Sequence, residues 1–490
     1  MPKVPLHTGR GDRRPYALRN TSVSSPTRLA TVAFSLSVLG IASAALASSG
    51  PARPNIVLIV VDTLRADAVP LSDGASPNLA AFARNSVTFT RAFANASWTD
   101  PSISSLFTSR YPFEHGVGAR LGLTQRGQVP TLVEALAAQG YSTHAFVQLY
   151  GPELWHQGFQ QYSVVPMSDS RSPSGAVFDL AAKDLAQART EPVFLFLHTY
   201  EVHHYFAPHD YAVDYARRRL PGYTGPFANR KEQKPYDAYD ALARATPEDT
   251  EWARALYDGT IARLDVEFGT FERELEKLGL TENTIIVLMS DHGEGFQPEL
   301  HRVHHGGRLH ADLLRIPLMM RWPGRLTAQI DDRVTTPLDV MPTLLQLAEV
   351  KTDTKVRGRA LFRWQASSWL GSWFQKPKLA KVKPWPETAM AEESVLTVLD
   401  SGERQLGGER QVGLYSRGST LIVREARGGR VELYDLDADP GQQHNRAADR
   451  EEQVRLMSAE IGRITLDSPG LRPQIDPETL SFLRALGYLQ

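Results

Sequence analysis

Three stretches of the chain share one grammar, a nearly unbroken apolar run that ends abruptly in polar residues of catalytic type. They are "NIVLIVVDTLRAD" (55–67), "PVFLFLHTY" (192–200) and "NTIIVLMSDHGEG" (283–295). Continuous rather than alternating apolarity, rich in β-branched residues, predicts strands buried on both faces. Between them run helical patterns, the clearest being "TPEDTEWARALYDGTIARLDVEFGTFERELEKLGL" (246–280). Thr246 before Pro247, with Asp249 three residues on, reads as an N-cap and first turn, and Gly279 as a C-terminal stop. Strands alternating with helices predict an α/β domain, a mainly parallel sheet with helices on both faces. Ligands of such sheets bind beyond the carboxyl ends of the strands. Asp62, His198, Asp291 and His292 all fall at those ends, so residues far apart in sequence can converge.

Near residue 385 the texture changes. "SVLTVLD", "RQVGLYS", "STLIVREA" and "RVELYDL", separated by Gly-rich or polar turns, predict the short strands of a smaller antiparallel sheet, and "PETLSFLRALGYLQ" a closing helix. The chain thus divides into an N-terminal segment and linker (1–50), an α/β catalytic domain (51–385) and a C-terminal α+β subdomain (386–490). The Lys- and Trp-rich "WFQKPKLAKVKPWP" reads as an interdomain connection or surface loop. The Tyr/Arg/Pro-rich stretch 205–240, with "YARRRLPGYTGP", reads as a long loop or lid near the site.

Composition narrows the chemistry. A formal net charge of −1 over 490 residues lacks the basic signature of nucleic-acid binding. The absence of cysteine excludes disulfides, thiolate metal sites and cysteine nucleophiles, so a metal must sit on oxygen and nitrogen ligands. The basic lead through Arg28, the apolar "LATVAFSLSVLGIASAALA" and the small-x-small Ala45-Leu46-Ala47 have the layout of a secretory signal cut near Ala47. An uncleaved single-span anchor is the alternative, since the apolar run approaches the ~20 residues a bilayer needs. Either way the expected location is outside the cytoplasm: periplasmic, secreted, or tethered to the membrane.

Taken singly, the polar residues are ambiguous. An Asp after a buried strand is often a helix N-cap. His198 and His203 in "HTYEVHHY" could be structural, and "HRVHHGG" (301–307) a solvated loop rather than an anion or metal contact. Asp291-His292 is more telling, because two metal-type ligands next to glycine at the end of an apolar strand have no packing role.

In combination they form a recognisable series. "PNIVLIVVDTLRAD", "SWTDPSISSLFTSRYPFEHG", "DGTIARLD", "SDHGEG", His305-Gly306 followed by "LRIPLMMRWPG", "TPLDVMPTLLQLA" and "ELYDLDADPGQQHNRA" stand in the order of sulfatase motifs. From about residue 54 to its C-terminus the chain resembles the sulfatase family of the alkaline phosphatase superfamily. The resemblance implies an α/β sandwich with a smaller C-terminal antiparallel sheet beside it. It also places Asp62 and Asp291 on metal carboxylates, and His198 and His305 on positions that contact the transferring group or leaving oxygen. Several positions depart from the family pattern. Thr63 replaces a second Asp, His292 an Asn, Ile103 the usual Arg, and "HAFVQLYG" stands where a Lys-x-His motif is expected. Thr99 occupies the place of the cysteine that sulfatases convert to formylglycine.

Asp, Thr, Asp and His is the metal set of superfamily relatives with a threonine nucleophile. The resemblance therefore implies a divalent ion on Asp62, Thr99, Asp291 and His292, zinc or manganese before magnesium or calcium, with Thr99 as the attacking atom. His198, His203 or His305 would stabilise charge or protonate the leaving group. A formylglycine hydrate can release sulfate by elimination, whereas a threonine ester needs water to attack phosphorus or sulfur, which favours phosphoryl groups. The expected function is hydrolysis of a phosphate or sulfate ester of a glycan, lipid or small molecule. The alternatives are a transferase to a lipid or glycan hydroxyl and a silent glycan-binding module. A second ion on Glu201, His203 and His305 has the residue types but no geometry at this stage.

Overall fold

The computed structural model describes residues 53–71, 73–117, 129–167, 172–206, 209–228, 241–363, 378–379, 395–399, 411–416, 418–424 and 431–466. The N-terminal apolar segment, most of the Lys- and Trp-rich connection and the predicted closing helix lie outside them. No helix among the described residues is long and apolar enough to cross a membrane.

The core is an eight-stranded sheet. Its strands are β1 (Asn55–Val61), β2 (Val87–Phe93), β3 (Ser142–Val147), β4 (Gln161–Val164), β5 (Val193–Thr199), β6 (Thr284–Ser290), β7 (Arg315–Arg321) and β8 (Gln329–Thr335). They lie in the order β8-β2-β7-β6-β1-β5-β3-β4, and every pairing is parallel except the two made by β7. Successive side chains of β1 alternate between two separate hydrophobic cores. Ile56, Leu58 and Val60 face one, and Val57, Ile59 and Val61 the other. β5 and β6 divide their residues in the same way. Burial on both faces explains the continuous apolar runs: with a period of two and a helix layer on each side, no position is left for a polar residue.

Helix α1 (Thr99–Thr108) packs Ile103, Leu106 and Phe107 into the first core. Ile103, standing where the family resemblance expects an arginine, is fully buried there. Across the sheet, α2 (Asp210–Arg219) and α3 (Pro247–Lys277) cover the second core. Helix α3 starts with the expected cap: Thr246 accepts from the Asp249 N–H, and the Asp249 carboxylate accepts from the Thr246 N–H at 3.0 Å. Gly279, just past its end, has φ +68°.

The stretch expected to be a loop or lid instead contains α2. Ala212, Tyr215 and Ala216 form a buried stripe, and the three consecutive arginines fall in the last turn, where cations suit the helix dipole. The two helices touch backbone to backbone at Gly259, where an added Cβ would lie 2.9 Å from Ala212 Cα.

The C-terminal strands, β9 (Val395–Leu399), β10 (Gln411–Tyr415), β11 (Ser419–Arg424) and β12 (Val431–Asp435), form an antiparallel meander. Tyr415 ties it to the main body by packing at a tilt against Phe93, ring centres 4.4 Å apart, and by donating to the Leu309 carbonyl at 2.6 Å.

Candidate active site

The sheet order sets the site. β1 lies between β5 and β6, with Val61 level with Thr199 on one side and Ser290 on the other. One residue further on, Asp62 stands beside Tyr200 and Asp291. The Asp62 N–H closes the ladder on the Thr199 carbonyl at 3.0 Å, and Thr63 then turns the chain with φ +59°. A β-branched residue in the left-handed region is strained, and the surroundings hold it there. Its N–H donates to Asp291 Oδ1 at 3.2 Å, its hydroxyl to the Asp62 carbonyl at 2.7 Å, and its own carbonyl accepts from Tyr257 at 2.9 Å. The Thr63 hydroxyl is thus turned to the backbone, away from a ligand role.

Asp62, Thr99, Asp291 and His292 are all buried. Asp291 Oδ1 accepts from the Thr63 and His292 N–H groups, the latter at 2.8 Å, while its Oδ2 has no hydrogen-bond partner. Asp62 Oδ2 accepts from Thr99 Oγ1 at 3.1 Å, and its Oδ1 likewise has no partner. His292 Nδ1 lies 3.0 Å from the Gly293 carbonyl. A carbonyl can only accept, so Nδ1 carries the proton and Nε2 presents its lone pair. That Nε2 is 3.2 Å from Thr99 Oγ1 and 3.4 Å from Asp291 Oδ2.

Ligand atoms of Asp62, Asp291 and His292 lie within 4.8 Å of one another, and two buried carboxylate oxygens point at nothing else. Burial, together with the charge of Asp291, pushes the Asp62 carboxyl well above the ordinary carboxylate range. An arrangement this poor in positive charge fits a divalent cation held by Asp62, Asp291, His292 and Thr99 Oγ1. Two carboxylates, a hydroxyl and one imidazole suit zinc or manganese better than the all-oxygen preference of calcium.

Other predicted residues line the same place. His198, fully buried near the end of β5, brings Nε2 within 3.3 Å of Asp62 Oδ2, and burial lowers its pKa to about 4. His203 and His305 are in ring contact at 5.0 Å, and His305 reaches the His292 ring at 4.7 Å. Burial depresses the pKa of both, that of His305 to about 4. Glu201 does not join them. Its carboxylate accepts from the Ser172 and Ser174 hydroxyls, the Ser174 N–H and the Tyr211 hydroxyl, which makes it a brace for the neighbouring loops.

Four residues not singled out from the sequence also belong to the site. The Tyr200 hydroxyl sits against Thr99, and burial beside Asp62 and Asp291 pushes its pKa up, so it remains a hydrogen-bond donor. Gln148 fixes that loop by accepting from the Thr199 hydroxyl at 3.1 Å and the Tyr200 N–H at 2.9 Å. Asp100, next to Thr99 in the first turn of α1, is raised to about 6 by burial, with Asp291 adding to the effect. Trp98 packs edge-on to His305 at 5.3 Å, in space left by Gly306, whose Cβ would fall 2.1 Å from the indole. The aromatic after "HT" and the Trp before the Thr-x-Pro-Ser run were the available signals, but neither residue type is diagnostic without the fold.

Comparison with known proteins gives a consistent picture. The family model described as "Sulfatase" matches residues 54–350. An ulvan-active sulfatase of Formosa agariphila is 26% identical over 351 residues, covering 64% of this chain and 65% of that relative. Human arylsulfatase A is 27% identical over 346 residues, covering 62% of this chain and 66% of the relative. The matches thus span just under two thirds of these relatives' lengths. Among solved structures, one in complex with its substrate D-glucosamine-2-N,6-O-disulfate superposes with TM-score 0.67 at 18% identity, covering 86% of this chain and 100% of the other. The phosphonate monoester hydrolase of Agrobacterium radiobacter gives 0.61 at 19% identity, covering 89% and 96%. At such identities these structures speak to the fold alone.

Proposed function

The chain belongs to the sulfatase family, and from that premise we propose that it is an exported, metal-dependent ester hydrolase whose nucleophile is Thr99. One observation carries the reading. Thr99 Oγ1, at the N-terminus of α1, lies 3.1 Å from Asp62 Oδ2 and 3.2 Å from His292 Nε2, beside two buried carboxylate oxygens without partners. A divalent ion held there would lower the pKa of the hydroxyl and neutralise the anionic ester. Asp62 Oδ2 receives the Thr99 proton as Oγ1 forms its bond to phosphorus or sulfur. The ester bond to the leaving oxygen breaks. That oxygen takes up either the proton received by Asp62, passed on through His198, whose Nε2 lies 3.3 Å from Asp62 Oδ2, or a solvent proton relayed through Tyr200, His203 or His305. Negative charge developing on the equatorial oxygens faces the positive end of α1.

Turnover then requires water to cleave the Thr99 ester, since an ester of an alcohol cannot expel its group by regenerating an aldehyde. Phosphoryl and phosphonyl groups accept that second attack more readily than a sulfo group, so phosphate or phosphonate esters are the preferred substrates and sulfate esters the slower ones. The apolar run before Ala47 supports work outside the cytoplasm, where sugar- and lipid-linked esters are accessible substrates. The test is a comparison of matched aryl phosphate, phosphodiester, phosphonate and sulfate esters with zinc- and manganese-loaded protein. Phosphorus esters turning over faster support the proposal, and a sulfate-only profile refutes the substrate preference.

A further inference from the structure

The strand following β6 folds back on itself. Phe296 pairs with Val303 and Gln297 with Arg302, and the His304 N–H donates to the Gly295 carbonyl at 3.1 Å. This ribbon carries Glu294 to His304 and His305, ten and eleven positions later. Three distances define the result. His304 Nδ1 is 3.0 Å from His305 Nδ1, His305 Nδ1 is 3.1 Å from Glu294 Oε2, and His304 Nδ1 is 3.7 Å from Glu294 Oε1. Glu294 is completely buried; of the two arginines beside the ribbon, Arg65 reaches its backbone carbonyl at 2.6 Å, and Arg308 pairs with Asp312 and reaches the His304 carbonyl at 3.4 Å.

Two Nδ1 atoms 3.0 Å apart leave room for at most one N–H between them. The Glu294 carboxylate accepts from the Gly295 N–H at 3.0 Å through Oε1 and turns Oε2 to His305 Nδ1. Ligand atoms of one buried carboxylate and two imidazoles thus lie within 4.8 Å of one another. A divalent cation satisfies all three lone pairs at once, and the two imidazoles with one carboxylate are a donor set that zinc accepts with a coordination position to spare. The His304 side chain is a third exposed, which leaves an entry for the ion from solvent.

We infer that Glu294, His304 and His305 form a second divalent-metal site, separate from that of Asp62, Asp291 and His292 and joined to it through the contact of the His292 and His305 rings. The inference rests on the first site being a metal site in the proposed function. Its open coordination position would take an oxygen of the ester or of the attacking water, giving the substrate a second cationic contact. Binding at Nδ1 also fixes the other nitrogen of His305 as an N–H donor.

The test is zinc stoichiometry by equilibrium dialysis and elemental analysis on metal-stripped, reloaded full-length protein. Four proteins are compared: wild type, Asp291→Asn, His304→Ala, and Glu294→Gln as a near-isosteric second variant, each checked for native circular dichroism. Expected values are two equivalents for wild type and one for each variant, whatever the activity. Two equivalents remaining in both His304→Ala and Glu294→Gln, or one in wild type that Asp291→Asn abolishes, would overturn the second site. Two equivalents in Asp291→Asn would instead refute the first.

Discussion

Replacing Asp291 by Asn removes a ligand, yet it is expected to stabilise the metal-free protein. Ligand atoms of Asp62 and Asp291 lie within 4.8 Å, in a site where both side chains are buried. At that separation and an effective dielectric constant near 20, two unit negative charges repel by roughly 3.5 kcal/mol. Proton uptake at Asp62, whose carboxyl burial and Asp291 hold well above the usual range, relieves part of this. The cost that remains is on the order of 1–3 kcal/mol. Asparagine keeps an Oδ1 to accept from the Thr63 and His292 N–H groups, and puts an amide N–H donor where the second buried carboxylate oxygen stood, facing Asp62, whose Oδ1 has no partner. For a body of this size, 1 kcal/mol corresponds to a shift on the order of 1 °C in Tm. Calorimetry after exhaustive chelation should therefore place Asp291→Asn about 1–3 °C above wild type. With zinc at a thousandfold its Kd, wild type gains roughly 4 kcal/mol by mass action and the order reverses. A variant that melts below wild type in chelator, or a wild type indifferent to divalent ions, would refute the electrostatic account of this site.

Three other perturbations test separate parts of the account. Tyr200→Phe keeps the ring and removes the hydroxyl set against Thr99, so kcat should fall about tenfold or more while zinc affinity is unchanged, as read by steady-state kinetics and titration. Gly306→Ala places a methyl within 2.1 Å of the Trp98 ring at a backbone with φ +81°, and should cost about 1–3 kcal/mol while displacing His305, seen as lower Tm and lower kcat together. Buried His115, held down to about 3 mainly by desolvation, takes up its proton less readily folded than unfolded. Its contribution to stability is complete above pH about 6.5 and is lost as pH falls from there toward about 3, at up to about 1.4 kcal/mol per pH unit. In His115→Gln, urea melts across that range should show a pH slope smaller by about that amount.

The sequence showed the skeleton of the site because the skeleton is made of strand ends. An apolar run that stops at Asp62, His198 or Asp291 marks both a buried strand and the carboxyl end where a site forms, so fold and candidate residues were legible in one pattern. Which of these residues meet was legible only through the family resemblance, which put Asp62, Thr99, Asp291 and His292 on one ion. Their meeting depends on β1 lying between β5 and β6, a non-local order that periodicity does not carry. Glu294 became a candidate ligand only through the ribbon that folds His304 and His305 back onto it. Glu201 stood between candidate residues in sequence, yet the loop turns it toward Ser172, Ser174 and Tyr211. Helix α2 was concealed because its buried stripe is only Ala212, Tyr215 and Ala216 in a segment of low mean hydropathy crowded with charge, a stripe that suffices where Gly259 lets the backbones approach.

The central claim is that Thr99 is the attacking atom, and covalent trapping tests it most directly. Metal-loaded protein is mixed with an aryl phosphonate or phosphodiester, quenched in acid within one turnover, digested, and analysed by tandem mass spectrometry. The account predicts a phosphonyl or phosphoryl adduct on Thr99, absent from Thr99→Ala, which folds but does not turn over. An unmodified Thr99 throughout turnover, with Thr99→Ala as active as wild type, would contradict it.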